Sequence, residues 1–209
     1  MAYVIVALIA YFLGSISFSV IVSKKLAGFD VRNTGSGNAG TTNVLRSVGK
    51  KAAIITLAFD VLKGVIAVLI AYLVGNIFSG LENSLLVQLA GIFVIIGHTF
   101  PVFFEFRGGK GIATALGVLL ITNWNIGLIC LVFALVLMAI TRIVSLGSLA
   151  TAILFPILVI FMPASNYIVF GNYIIYSFVL AIIVIFNHRA NIKRLILGNE
   201  NRLEFKKLK

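Results

Sequence analysis

The chain has 209 residues, 61% of them hydrophobic and 11% charged, and 17 Lys and Arg against 6 Asp and Glu give it a net charge of +11. So much apolar surface exceeds what one soluble core of this size can bury, so the composition reads as a polytopic helical membrane protein forming a single domain, residues 1–209. One cysteine, two histidines and no two acids in ligand spacing exclude a disulfide framework and argue against a carboxylate-type divalent-metal enzyme.

Tyr3 to Val22 carries no charge over 20 residues, about 30 Å of helix at ~1.5 Å per residue, enough for a first span. Lys24 and Lys25 follow the apolar run rather than precede it, which predicts an uncleaved helix with its N-terminus outside. Gly14, Ser15, Ser17 and Ser19 give that helix a small-residue face suited to close helix packing.

The most polar passage comes next, GSGNAGTTNVLR from Gly35 to Arg46. Its glycines, hydroxyls and amides, closed by one fixed cation, are donors that suit an oxyanion, and a plain turn between spans has no need of them. A second span, Ile54 to Val74, contains Asp60 and Lys63. Three residues apart on a helix, they share a face, where they either pair or shape a cavity.

A third span begins near Leu85 and runs into Gly97, His98 and Pro101, then Glu105, Arg107, Gly108, Gly109, Lys110 and Gly111. The following apolar run, Ile112 to Thr122, is 11 residues long, too short for a hydrocarbon core of ~30 Å, so the glycine loop is expected to begin within the membrane. If GGKG opens the fourth helix, its free N–H groups and the Lys110 ammonium form a phosphate site at a helix N-terminus. It is not a Walker A loop, because Phe104 stands where that pattern needs Gly and Gly111 follows Lys110.

Three further spans are predicted at about Ile126 to Ile140, Val144 to Met162 and Tyr167 to Phe186. In the tail, HRANIKRLILGNENRLEFKKLK, Ile192, Leu195 and Ile196 form one stripe against Lys193 and Arg194, with Gly198 as a stop. This is an interfacial anchor helix, compatible with a catalytic His188. Segments 23–51, 104–111, 141–145 and 187–209 hold 16 of the 17 Lys and Arg, which predicts seven spans with the N-terminus outside and the C-terminus cytoplasmic. The polar groups around Ser36, Lys110 and His188 then share the cytoplasmic side and can converge. A basic pocket there could also attract anionic lipid head groups, but that needs neither the glycine placement nor a buried helix start.

GSGNAGTTNVLR, GHTFPVFFEFRGGKGIAT and the HRANIKRL tail resemble the three signature segments of the bacterial acyl-phosphate:glycerol-3-phosphate acyltransferases, with matching spacing over nearly the whole chain. The resemblance implies a cofactor-free, metal-free enzyme of the bacterial cytoplasmic membrane. It would move a fatty acyl group from acyl phosphate to glycerol 3-phosphate, giving lysophosphatidate and phosphate, with membrane lipid as its other partner and no nucleic acid. Ser36, Lys110 and His188 become the expected catalytic positions. Gly37, Asn38, Thr42, Asn43, Arg46, His98, Gly108, Gly109, Ser145 and Asn191 become the expected substrate-binding ones. Asn187 and Ala190 depart from the usual RHREN of the third segment.

Both substrates named by the resemblance carry phosphate dianions, so a cationic, donor-rich site sunk at the membrane boundary fits them. Acyl phosphate is already activated, and catalysis then rests on aligning a hydroxyl with a carbonyl and stabilising the oxyanion and leaving phosphate. The proton of that hydroxyl could go to His188 or to a substrate phosphate. Direct transfer with phosphate assistance is the expectation, with His188 and Ser36 orienting. A carrier of a phosphorylated anion would want a similar basic pocket, usually with internal repeats, and no repeat is visible between the halves.

Overall fold

In a hydrocarbon layer every backbone N–H and C=O must be satisfied within the chain, and long apolar runs meet that requirement as helices. The computed structural model describes residues 1–78, 80–162 and 170–203, and among them the only regular elements are helices. They are α1 (Ala2–Gly14), α2 (Phe18–Ala27), α3 (Thr41–Ser47), α4 (Lys50–Ile77), α5 (Asn83–Thr99), α6 (Ile112–Thr122), α7 (Trp124–Thr141), α8 (Val144–Phe161), α9 (Phe170–Asn187) and α10 (Arg189–Ile196). Tyr167, the expected start of the last span, lies outside the described residues, as do tail residues 204–209.

Of the seven predicted passes, five are long and apolar enough to cross a membrane by themselves: 2–27, 50–77, 83–104, 124–141 and 144–161. A sixth passes that test only as the bent pair of α9 and α10, which meet at 63°. The remaining pass is the short α6, whose bounds are those read from the sequence.

The first span is not the single helix expected. It breaks between Gly14 and Phe18, where Ser15 Oγ turns back to the Tyr11 carbonyl at 2.8 Å and Ser17 and Ser19 share a hydrogen bond of 3.1 Å. Hydroxyls that bond locally compete with the helical ladder. The carbonyls of Gly14 and Ile16, left without helical partners, accept instead from Lys63 Nζ of α4, at 3.0 Å each.

Packing relies on close backbone approach. A Cβ on Gly14 would collide with the Val94 carbonyl of α5, and one on Gly97 with the Tyr11 carbonyl of α1. The small-residue face of the first span therefore serves packing, as read from the sequence. Gly64 and Gly117 make the same reciprocal arrangement between α4 and α6, against Thr114 and Val61. The core that results is built from Val6, Ala10, Ala67, Ala71, Leu86, Ala90, Val94, Val118, Tyr173 and Tyr176. Leu8, Leu69, Val132, Ile153, Ile175 and Ile182 are exposed, an outer apolar face that a bilayer would cover.

Three contacts set the polarity of the bundle. Tyr3 Oη accepts from the Glu82 N–H at 2.9 Å, so the N-terminus lies beside the start of α5. Arg46 Nη2 donates to the Asn201 carbonyl at 3.3 Å and the Leu203 N–H to the Arg142 carbonyl at 2.7 Å, so the end of the described chain lies with the polar loops. The two ends of the described chain are thus at opposite ends of the bundle.

Candidate active site

At that polar end a cavity of about 300 Å³ is lined by side chains from all three motifs: Ser36, Asn38, Thr42, Asn43 and Arg46, then His98 and Lys110, then His188 and Asn191. Ser145, buried at the start of α8, completes the set with Thr41, Asp60, Arg194, Glu200 and Asn201. Gly37, Gly108 and Gly109 do not line it.

The first loop is wound around one amide. Asn43, 1% exposed, places Nδ2 2.9–3.1 Å from the carbonyls of Val31, Thr34 and Asn38, and its Oδ1 accepts from the Ser36 N–H at 3.0 Å. Asn43 thus spends its polar atoms on the loop and acts as scaffold, fixing Ser36 at the cavity mouth. Gly35, with a left-handed φ of 57°, must be glycine because a Cβ would strike Asn43 Oδ1. Thr41 Oγ1, buried in this loop, has no partner among the described residues.

Arg32 locks this loop to the next. Its guanidinium grips Asp30 through Nε (3.0 Å) and Nη2 (2.9 Å) and donates through Nη1 to the Phe104 carbonyl at 2.7 Å. Bonds from Arg32 hold the Asp30 carboxyl down at about 2, against an opposing push from burial.

The second motif departs from a phosphate-cradling glycine loop. After Pro101 the chain reverses through Glu105 and Phe106, both at positive φ, and returns alongside the end of α5. The Gly108 N–H then donates to the Thr99 carbonyl at 3.1 Å and the Gly109 N–H to the His98 carbonyl at 3.0 Å. Those N–H groups are consumed within the fold and cannot bind a ligand. Both residues are glycine because a side chain would collide with the His98 carbonyl or its ring. What the motif offers the cavity is Lys110, then Gly111, Ile112 and Ala113 at the N-terminal end of α6.

Lys110 Nζ donates to Asn191 Oδ1, Asn191 Nδ2 to Glu200 Oε1 at 2.8 Å, and Arg194 Nε to Glu200 Oε2 at 2.8 Å. Burial lowers the Lys110 pKa to about 8, with Glu200 opposing and Arg194 and Arg46 reinforcing the shift. Burial pushes the Glu200 carboxyl up, but its bonds from Asn191 and Arg194 outweigh that and hold it below the usual carboxylate range.

His188, 2% exposed, caps α10 just past the end of α9, with Nδ1 2.8 Å from the Val184 carbonyl. Nδ1 is then the protonated nitrogen and Nε2 is left as an acceptor. Burial first, and the charge of Lys110 second, bring its pKa to about 4, so the ring is neutral at pH 7. The neighbouring Arg189 is exposed and stacks on the Phe186 ring at 4.6 Å. Asn187, one of the two departures from the family pattern, donates to Thr99 Oγ1 at 3.0 Å and so ties α9 to the end of α5.

Asp60, read from the sequence as either paired or shaping a cavity, does both, whereas sequence reasoning assigned no site role to Arg32, Arg194 or Glu200. Glu200 had no local signal, since an acid in a basic tail reads as a solvated charge.

A smaller apolar crevice, of about 90 Å³, lies between α6, α7, α8 and α9, with Leu119, Cys130, Phe155 and Leu180 among its walls. It shares Ile112, Leu116, Leu131, Ala134 and Ser148 with the polar cavity, so the two adjoin.

A family profile described as glycerol-3-phosphate acyltransferase matches residues 4–198. The glycerol-3-phosphate acyltransferase of Clostridioides difficile is 46% identical over 206 residues, covering 99% of this chain and 98% of that protein. That of Thermoanaerobacter pseudethanolicus is 46% identical over 202 residues, covering 96% and 95%. The fold is similar to crystal structures of PlsY, an integral membrane glycerol 3-phosphate acyltransferase. Its glycerol 3-phosphate form superposes with a TM-score of 0.85 at 37% identity, over 98% of this chain and 96% of that one. Its lysophosphatidic acid form gives 0.84 at 34% identity, over the same shares. With a profile match across most of its length, curated relatives at this identity and a shared membrane fold, the chain belongs to the glycerol-3-phosphate acyltransferase family.

Proposed function

We propose that this protein transfers a fatty acyl group from acyl phosphate to glycerol 3-phosphate, forming lysophosphatidate and inorganic phosphate, at the cytoplasmic face of a bacterial cytoplasmic membrane. The observation that carries the reading is the cavity itself. Arg46, Lys110 and Arg194 converge on it against the single acid Glu200, Asp60 is matched by Lys63, so its net charge is positive, and it adjoins an apolar crevice. A cationic chamber joined to an oily slot suits a donor with a phosphate head and a hydrocarbon tail.

In the proposed step the glycerol hydroxyl oxygen bonds to the acyl carbonyl carbon while the bond from that carbon to the phosphate oxygen breaks. The hydroxyl proton passes to a substrate phosphate, whose second ionisation lies near ~6. Lys110 stabilises the charge that grows on the leaving phosphate, and the neutral His188 accepts a hydrogen bond through Nε2. Ser36 and Thr41 donate hydroxyl hydrogen bonds at the mouth, and Arg46 holds the second phosphate. The N-terminus and the basic loops lie at opposite ends of the bundle, which supports an outside N-terminus and an odd number of passes, seven when α6 is counted.

The test is turnover without compartments. Purified protein in detergent should release phosphate only when palmitoyl phosphate and glycerol 3-phosphate are both present, and palmitoyl coenzyme A should not replace the acyl phosphate. Binding of glycerol 3-phosphate without any turnover would favour a carrier instead.

A further inference from the structure

We propose that Asp60 is a positioning residue for acyl transfer, acting with Lys63 and through His98 on the Gly108–Lys110 segment. The proposal rests on the reading that Lys110 meets the leaving phosphate.

Lys63 is 1% exposed and its ammonium has three neighbours, the Gly14 and Ile16 carbonyls at 3.0 Å each and Asp60 Oδ1 at 2.9 Å. The ammonium therefore donates to both carbonyls at the break of the first span and pairs by charge with Asp60, whose Oδ1 is a buried oxygen without a hydrogen-bond partner among the described residues. An ion pair this deep is seldom needed for stability, since apolar residues of similar volume usually do as well or better in its place. Its geometry suggests a different use. The same Asp60 oxygen lies 3.4 Å from His98 Nδ1, across from α4 to α5.

His98 in turn fixes the segment before Lys110 at two points. Its carbonyl accepts from the Gly109 N–H at 3.0 Å, and its ring packs so closely on Gly109 that a Cβ there would meet Nε2. Arg32 on Phe104 supports the outer part of the loop, and the Ala39 N–H on the Gly108 carbonyl (3.4 Å) and Asn187 Nδ2 on the Lys110 carbonyl (3.5 Å) add longer holds on the inner turn. His98 makes the shorter backbone bond and the ring contact just before Lys110, and Asp60 lies against that ring. A continuous path therefore runs from the break in the first span through Lys63, Asp60, His98 and Gly109 to Lys110. Displacing a charge by about 1 Å from its transition-state position costs on the order of 10²-fold in rate.

Asp60→Asn keeps the shape but removes the carboxylate from both partners. In monodisperse, folded protein it should lower kcat about 10- to 100-fold while KM for glycerol 3-phosphate stays within about threefold, because transition-state contacts are lost rather than ground-state binding. Asp60→Glu should recover part of the turnover. Hydrogen–deuterium exchange should quicken in peptides covering residues 107–111, where the Gly108 and Gly109 N–H groups are bonded, and not in peptides covering the first loop.

His98→Asn, which leaves the Asp60–Lys63 pair intact, should reproduce both effects, and it decides the question if Asp60→Asn yields no folded protein. A folded variant of either kind with wild-type kcat would overturn the proposal, as would unchanged exchange over residues 107–111. The exchange measurement needs no turnover, so it still reads the positioning path if wild-type enzyme proves not to use acyl phosphate.

Discussion

Removing the Lys110 ammonium is the most direct challenge to the proposed chemistry. In Lys110→Met the alkyl stem still fills the space beside Asn191 and α6, while the cation that faces the leaving phosphate is gone. Arg46 and Arg194 remain on the cavity wall, so binding of two dianions is weakened rather than abolished. The loss should resemble that of one preorganised oxyanion donor, on the order of 10²–10³ in kcat, or ~2.7–4 kcal/mol.

The wild-type pH profile gives a second, independent arm. Burial holds the Lys110 pKa at about 8, below its ordinary value, so the cation is present at pH 7 and is lost as pH rises through that value. A plot of kcat/KM reports the free enzyme and should therefore fall about tenfold per unit above pH ~8. Lys110→Arg cannot titrate there, so its lower activity should show no alkaline fall in that range. The assay is phosphate release by purified enzyme at limiting glycerol 3-phosphate. Turnover of Lys110→Met within threefold of wild type, or an alkaline limb that persists in Lys110→Arg, would refute the assignment.

Other consequences are as concrete. Asn43→Ala removes the amide on which the first loop is wound and should cost several hydrogen bonds at ~1 kcal/mol each, seen as lower thermal stability in detergent together with lost activity; loss of activity with unchanged melting would instead make Asn43 a direct ligand. Cys130 lines the apolar crevice, so Cys130→Phe should depress turnover of palmitoyl phosphate at least about tenfold more than that of butyryl phosphate, and equal effects would place the acyl chain elsewhere. In a Cys130→Ser background, Glu82→Cys should react with an impermeant external thiol reagent in intact cells and Asn33→Cys should not; the reverse pattern would invert the orientation. Rapid quench after mixing with radiolabelled acyl phosphate alone should leave the protein unlabelled, and a stable adduct on Ser36 would exclude direct transfer.

Much of this architecture is already written along the chain. Uninterrupted apolar runs have little alternative to helices in lipid, and α6 could be bounded to the residue because its charge-free 11-residue run is flanked by the Lys110–Gly111 loop on one side and Asn123 on the other. The distribution of Lys and Arg put Ser36, Lys110 and His188 on one side, and each lines the one cavity. Asp60 and Lys63 could be paired from spacing alone, because helical geometry fixes which residues share a face.

Only tertiary structure decided what those residues touch across helices. The first span looked continuous because its serines are small and uncharged; it breaks because α4 brings an ammonium to the freed carbonyls of Gly14 and Ile16. The glycines of the second motif looked like a phosphate cradle, yet Gly108 and Gly109 are spent on Thr99 and His98, since a glycine pattern does not say which partner makes the close approach. Asn43, expected at the substrate, bonds back to the carbonyls of its own loop, and Glu200, an acid in a basic tail, sits beside Asn191 and Arg194 in the cavity wall. Periodicity and charge bias act within a helix or across a membrane and so are legible in one dimension. The partner of a buried polar atom is set by which helices pack together, and that is a property of the folded bundle alone.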